Sequence, residues 1–135
     1  MRAGDGLTPG ELERIAWAVR QAQEMSGGYV FVAHLAGADE QGPVPQRAKA
    51  LHAAQSDPDR TVLVYVDAHE RQLQIVTGAG TTRTLTDPEC RLASATMVSG
   101  FASGDLVGGL VNGIVMLGEA SRGLRTDHVA PQINR

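Results

Sequence analysis

Carboxylates beside breaks in regular structure are where this chain could do chemistry. Asp87 sits in Thr86-Asp87-Pro88-Glu89, downstream of Gly78-Ala79-Gly80. A carboxylate beside a sheet edge and a glycine loop can ligate a hard cation, with backbone carbonyls and waters completing the shell. The same four residues also read as a helix start, where Asp87 satisfies exposed helix-end donors without any metal. Asp67 closes an apolar run, at a strand end of the kind where ligands collect in parallel sheets, and would join Asp87 if the loop folds back over that edge. It is equally a turn former. Asp105 follows Gly104 and reads as a helix cap.

Other chemistry is thinly supported. The histidines His34, His52, His69 and His128 show no spacing that would place two ligands on one helical face, so zinc is not expected. His69, in a turn, suits either proton transfer or plain solvation. Cys90 lies near a helix N-terminus, which would lower its pKa, but no neighbouring residue supplies a base. Gly78-Ala79-Gly80 ahead of a helix invites a phosphate cradle. No P-loop lysine follows it, Lys49 is the only lysine, and Arg83 is the one cation available there to meet an ester or simply to be solvated.

These residues must be positioned by elements that the sequence marks clearly. Thr8-Pro9-Gly10-Glu11 is a capped helix start, and Leu12, Ile15, Ala16, Val19 and Ala22 then recur at helical spacing until Ser26-Gly27-Gly28. A strand follows over residues 29–35, a loop over 36–44 and a second helix over 46–55, with Ala48, Leu51 and Ala54 inward. Thr61-Val62-Leu63-Val64-Tyr65-Val66 is apolar on both faces and reads as a buried strand. Residues 67–71 turn it into a second strand, Gln72-Leu73-Gln74-Ile75-Val76-Thr77. Residues 81–85 are expected to add a short edge strand. Helices over 88–102 and 106–121 finish the pattern, the last carrying a stripe of Leu106, Leu110, Ile114 and Leu117, with Gly109 and Gly113 open to close approach. The expectation is a three-layer α/β/α sandwich with a mixed sheet of about four strands. It occupies a single domain over residues 1–122, and a flexible tail is expected over 123–135.

Composition narrows the function classes. With 42% apolar but only 4% aromatic residues, the core must be built from small aliphatic side chains. A net charge of -3 with scattered basic residues excludes nucleic acid as an expected partner. The longest apolar stretch, residues 106–117, is broken by Asn112 and glycines and falls short of the roughly 20 residues of a membrane span. One cysteine and no apolar leader point to the cytoplasm.

The order of these pieces resembles the TPM domain family, named for a thylakoid lumen protein, a photosystem repair protein and an animal receptor modulator. The resemblance is carried by Thr61-Val62-Leu63-Val64-Tyr65-Val66, by the run from Arg71 to Gly80, by Leu85-Thr86-Asp87 and by Gly104-Asp105-Leu106-Val107-Gly108-Gly109-Leu110. It implies the sandwich fold, a divalent-cation site for Ca2+ or Mg2+ at Asp67, Asp87 and Asp105, and, in some members, acid phosphatase activity. This chain departs from the family after the second hairpin strand, where Gly78-Ala79-Gly80-Thr81-Thr82-Arg83-Thr84 lacks the aromatic and acidic residues usual there. No nucleophile and base stand at a recognisable spacing. The expected role is therefore a non-catalytic module that binds a small anionic ligand, a divalent cation or a protein partner, with a metal-assisted phosphomonoesterase as the alternative.

Overall fold

A computed structural model of the chain describes residues 7–122. Its elements are α1 (Pro9–Ser26), β1 (Val30–Leu35), α2 (Val44–Ala53), a 3-10 turn (Pro58–Arg60), β2 (Thr61–Asp67), β3 (Gln72–Val76), α3 (Asp87–Ser103) and α4 (Leu106–Ser121). This is a mixed α/β fold in which, among the described residues, four helices accompany one three-stranded sheet of order β1-β2-β3. β1 pairs parallel with β2, from Val30 opposite Thr61 to Leu35 opposite Val66. β3 returns antiparallel, with Asp67 opposite Gln72 and Leu63 opposite Val76. The expected tail over 123–135 and His128 lie outside the described residues, as do the first six residues.

α1 starts where the capping box predicts: Thr8 Oγ1 accepts from the Glu11 amide at 3.1 Å, and Glu11 accepts from the Thr8 amide at 2.9 Å. It stops at Gly27, whose φ of 74° a side chain would strain. The buried face is Ile15, Ala18 and Ala22, whereas Leu12 is exposed, so the helix is rotated from the face expected. In α2 the buried positions are Val44, Ala48 and His52, with Leu51 half-buried against the same cluster, whereas Ala54, expected inward, is exposed. His52 tolerates burial because its Nε2 lies 2.9 Å from the Thr61 carbonyl.

Because side chains alternate along a strand, β2 feeds two hydrophobic clusters. Val62, Val64 and Val66 pack with Phe31, Ile15, Ala18, Met97, Leu110 and Ile114. Leu63 and Tyr65 pack with Ala36, Val44 and Ala48. α4 holds its neighbours through glycine: a Cβ on Gly109 would lie 3.0 Å from the Gly100 Cα of α3, and one on Gly118 would lie 2.6 Å from the Ala22 Cα of α1.

The fourth strand expected over residues 81–85 does not form. The Thr81 amide donates to the Gly78 carbonyl at 3.0 Å and the Leu85 amide to Thr81 at 2.9 Å, so the segment closes on itself as turns. Thr81 and Leu85 are buried. Leu85 joins the cluster of Val62, Val64 and Val66 rather than pairing along the sheet edge.

Candidate functional site

The polar residues that converge lie at the C-terminal ends of the parallel pair. His34 of β1 stands directly opposite Tyr65 of β2, and residues so paired share a face, so the rings meet with centroids 4.9 Å apart. After β1 the chain turns through residues 36–43 and brings Glu40 back over both rings. Tyr65 donates its hydroxyl to Glu40 Oε1, while His34 Nε2 lies 2.9 Å from Glu40 Oε2. The Gly37 amide donates to the same Oε2 at 3.1 Å.

Arg47, one turn into α2, completes the cluster. Its Nε donates to the Gly42 carbonyl at 2.8 Å, its Nη1 to the Tyr65 hydroxyl at 3.2 Å, and its Nη2 contacts Asp67 Oδ2 at 2.8 Å. Asp67 Oδ1 accepts from the Glu70 amide at 3.0 Å, which ties the hairpin turn to the same network. Together these contacts run without interruption from His34 through Glu40, Tyr65 and Arg47 to Asp67.

Burial alone would raise the Glu40 carboxyl. Hydrogen bonds from Tyr65, His34 and the Gly37 amide outweigh it and hold Glu40 below the usual carboxylate range. Asp67 behaves alike: burial opposes its charge, but the Glu70 amide, Arg47 and the His69 amide together lower its pKa. Tyr65 moves upward, first through burial and then through its bond to Glu40. Both carboxylates are thus held ionised, and the phenol is held neutral as a donor.

One end of the network is open. A cleft of about 500 Å³ is lined by His34, Glu40, Arg47 and Tyr65 on its polar side and by Leu51 and Ala54 of α2 on its apolar side. It lies outside the carboxyl ends of parallel strands, where α/β sheets generally receive ligands. Among the described residues its lining offers no serine, threonine, cysteine or lysine, and the Tyr65 phenol is a poor nucleophile while its pKa is raised. The arrangement can bind and orient a molecule, but it presents no activated nucleophile.

The residues singled out from sequence are dispersed. Asp67 is in the network as the partner of Arg47. Asp87 starts α3 at the opposite end of the sheet: β3 leaves toward the Thr61 end, Gly78 packs on the Pro58 and Asp59 carbonyls, and Tyr29, just before β1, is 2.7 Å from Thr84. Asp67 thus ends β2, while the chain that leads to Asp87 leaves β3 toward the Thr61 end of that strand. The Asp67 carboxylate is engaged by Arg47 and the Glu70 amide, and Asp87 lies in the first turn of α3. Asp105 caps α4 by accepting from the Gly108 amide at 3.0 Å, and it borders a separate cleft between α3 and α4. No group of three or more His, Cys, Asp or Glu among the described residues could hold a metal ion. His69 and Arg83 are exposed. The Cys90 thiol is pushed up to about 11, by burial first and then by Asp87 and Glu89, so the lowering expected from the helix N-terminus is reversed.

His34, Glu40, Arg47 and Tyr65 were not singled out from sequence. The available signals were Tyr65, the one polar-tipped residue inside an apolar strand, and His34 near the end of a strand expected to be parallel to it.

A family model described as domain of unknown function (DUF5130) matches residues 17–118. The chain belongs to that family. The DUF5130 match corrects the TPM resemblance and removes the basis for the phosphatase activity it implied. The pieces that carried the resemblance are hairpin, turn and helix-cap signals, which a fold with this element order requires in any family. Among solved structures, the DUF5130 chain is similar to the BA42 protein from the psychrophilic bacterium Bizionia argentinensis, at 25% identity and a TM-score of 0.70, covering 87% of this chain and 83% of that one. It is also similar in fold to the N-terminal domain of cg2496 from Corynebacterium glutamicum, at 19% identity and a TM-score of 0.66, covering 87% and 75%. No curated protein matches. No helix among the described residues is long and apolar enough to cross a membrane.

Proposed function

We propose that this domain is a non-catalytic binding module for a small molecule, and that its site is the cleft between α2 and the ends of β1 and β2. In this reading the helices form two layers around the sheet, with α2 covering the face of Leu63 and Tyr65 and the other helices covering the face of Val62, Val64 and Val66. The module acts in the cytoplasm, in keeping with a single half-buried cysteine.

One observation carries the proposal: a buried, hydrogen-bonded polar chain ends at a partly open pair. Tyr65 is 1% exposed, yet the side chains of His34 and Glu40 are 33% and 29% exposed at the mouth. A purely structural staple between α2 and the sheet accounts for Arg47 and Asp67. It does not account for a loop that returns to hold a charged carboxylate ionised at the rim of a cleft whose other wall is apolar. Few convergent polar groups over an apolar wall is the usual composition of a small-molecule site.

The test is a fragment screen of mixed charge and polarity, followed by amide chemical shifts of the labelled protein. Shifts concentrated at Glu40, Gln41, Ala50, Leu51 and Ala54 are expected. If no fragment of any charge moves those amides, the cleft is not a binding site.

A further inference from the structure

Resting on the small-molecule reading of this cleft, we propose that its ligand carries a protonated amine that pairs with Glu40 at the mouth and an apolar body that lies along Ala50, Leu51 and Ala54 of α2.

Three observations converge on a cation. The network holds two carboxylates, Glu40 and Asp67, against one guanidinium, Arg47, which leaves one carboxylate without a Lys or Arg partner, sharing a 2.9 Å contact with His34 Nε2. Asp67 is paired directly with Arg47, so the surplus falls on Glu40. Among the described residues Arg47 is the only Lys or Arg of the cleft lining, and it is committed: Nε, Nη1 and Nη2 each serve a protein acceptor, and its side chain is 12% exposed. A carboxylate or phosphate ligand would meet the charge of Glu40 without a free cation to answer it.

Glu40 also has acceptor capacity to spare. A carboxylate offers about four lone-pair positions. Tyr65 fills one on Oε1, and His34 and the Gly37 amide fill those on Oε2, which leaves an Oε1 position for an incoming donor. An ammonium supplies that donor and the missing charge together. Beyond Glu40 the wall changes character, since Ala50, Leu51 and Ala54 present carbon to the cleft along about one turn of α2. A hydrocarbon attached to the amine displaces water there.

Hexylamine, hexanol and hexanoate share one chain and differ in head group, which separates charge from apolar contact. Each is titrated into the labelled full chain while the amides of Glu40, Gln41, Ala50, Leu51 and Ala54 are followed. A charge-assisted hydrogen bond at a partly shielded site should make the amine bind about tenfold more tightly than the alcohol, with hexanoate weaker than both. Glu40→Gln should bring amine and alcohol to within about threefold of each other. Ala50→Arg, at an exposed helical position that leaves the network intact, should lower the amine-to-alcohol ratio as well, which covers the case in which Glu40→Gln fails to fold. Equal binding of amine and alcohol to the unaltered protein, or tighter binding of hexanoate at the same amides, overturns the amine assignment and leaves the cleft as a ligand site. If none of the three moves those amides, both fall.

Discussion

Arg47→Met tests whether the buried network is electrostatic or only a set of packed side chains. Methionine keeps an unbranched side chain of similar reach but leaves the Asp67 carboxylate, 5% exposed, without its cation. Removing one partner of a buried ion pair costs about 3–5 kcal/mol. The lower end applies here, about 3 kcal/mol, because Asp67 keeps its hydrogen bond from the Glu70 amide. For a domain of this size that corresponds to a fall in Tm of roughly 10 °C. The pH dependence sharpens the test. Asp67 has a folded pKa below its unfolded value, so its contribution is present above about pH 3.9 and is lost as pH falls through the folded value. The penalty for Arg47→Met should therefore be largest at neutral pH and shrink in acid, where Asp67 becomes protonated in both proteins. Adding Asp67→Asn removes the orphaned charge and should recover stability to within about 1 kcal/mol of the unaltered protein. Urea unfolding followed by circular dichroism measures all three proteins at neutral and acid pH. A neutral-pH penalty below about 1 kcal/mol, or one that does not change with pH, would refute the charge argument.

Further outcomes follow from particular contacts. Gly78→Ala should destabilise the domain by about 2 kcal/mol or more, since its Cβ would lie 2.0 Å from the Pro58 carbonyl oxygen and 2.4 Å from that of Asp59; an unchanged Tm would mean the exit loop does not pack there. Calcium or magnesium should leave Tm at its value in chelator, because Asp67, Asp87 and Asp105 occupy separate parts of the fold. A rise equivalent to about 2.7 kcal/mol at a hundredfold excess over Kd would restore the cation site. Alkylation of Cys90 should be slow at neutral pH and keep accelerating toward about pH 11, and labelling as fast as an unstructured thiol would contradict the burial that raises its pKa.

What was legible in the sequence was what depends on neighbours along the chain. The Thr8 capping box, the Gly27 stop, the apolar run of β2 and the turn before Gln72 are all local signals, and each lies where it was expected. The errors arose where a distant contact decided the outcome. Residues 81–85 have strand-like composition, but Thr81 bonds back to Gly78, Leu85 packs into the core cluster and the segment turns. On α1, Ile15 and Ala22 are buried as expected, the latter where α4 comes close at Gly118, a contact between residues nearly a hundred positions apart, whereas the burial of Ala18 and the exposure of Leu12 were not foreseen. The acidic residues are subject to a related constraint: an antiparallel β3 carries the chain back along β2, so the loop directly after it leaves from the end remote from Asp67.

The site follows from the same geometry. A parallel β1-β2 pair requires the chain to cross over between them, and here the crossover is the loop of residues 36–43 followed by α2. Residues that start the crossover, Gly37 and Glu40, and residues of its helix, Arg47, Ala50 and Leu51, are thereby set beside the C-terminal ends of the strands that it joins. The helix is fixed there by Val44, Ala48 and His52, and the charged end of the network is fixed by Asp67 of the next strand. Glu40 can consequently be held ionised at a rim while only partly buried, because the donors that hold it belong to β1, β2 and its own loop. Docking of α2 and formation of the cleft are therefore one event, and a change that loosens α2 should weaken ligand binding and stability together.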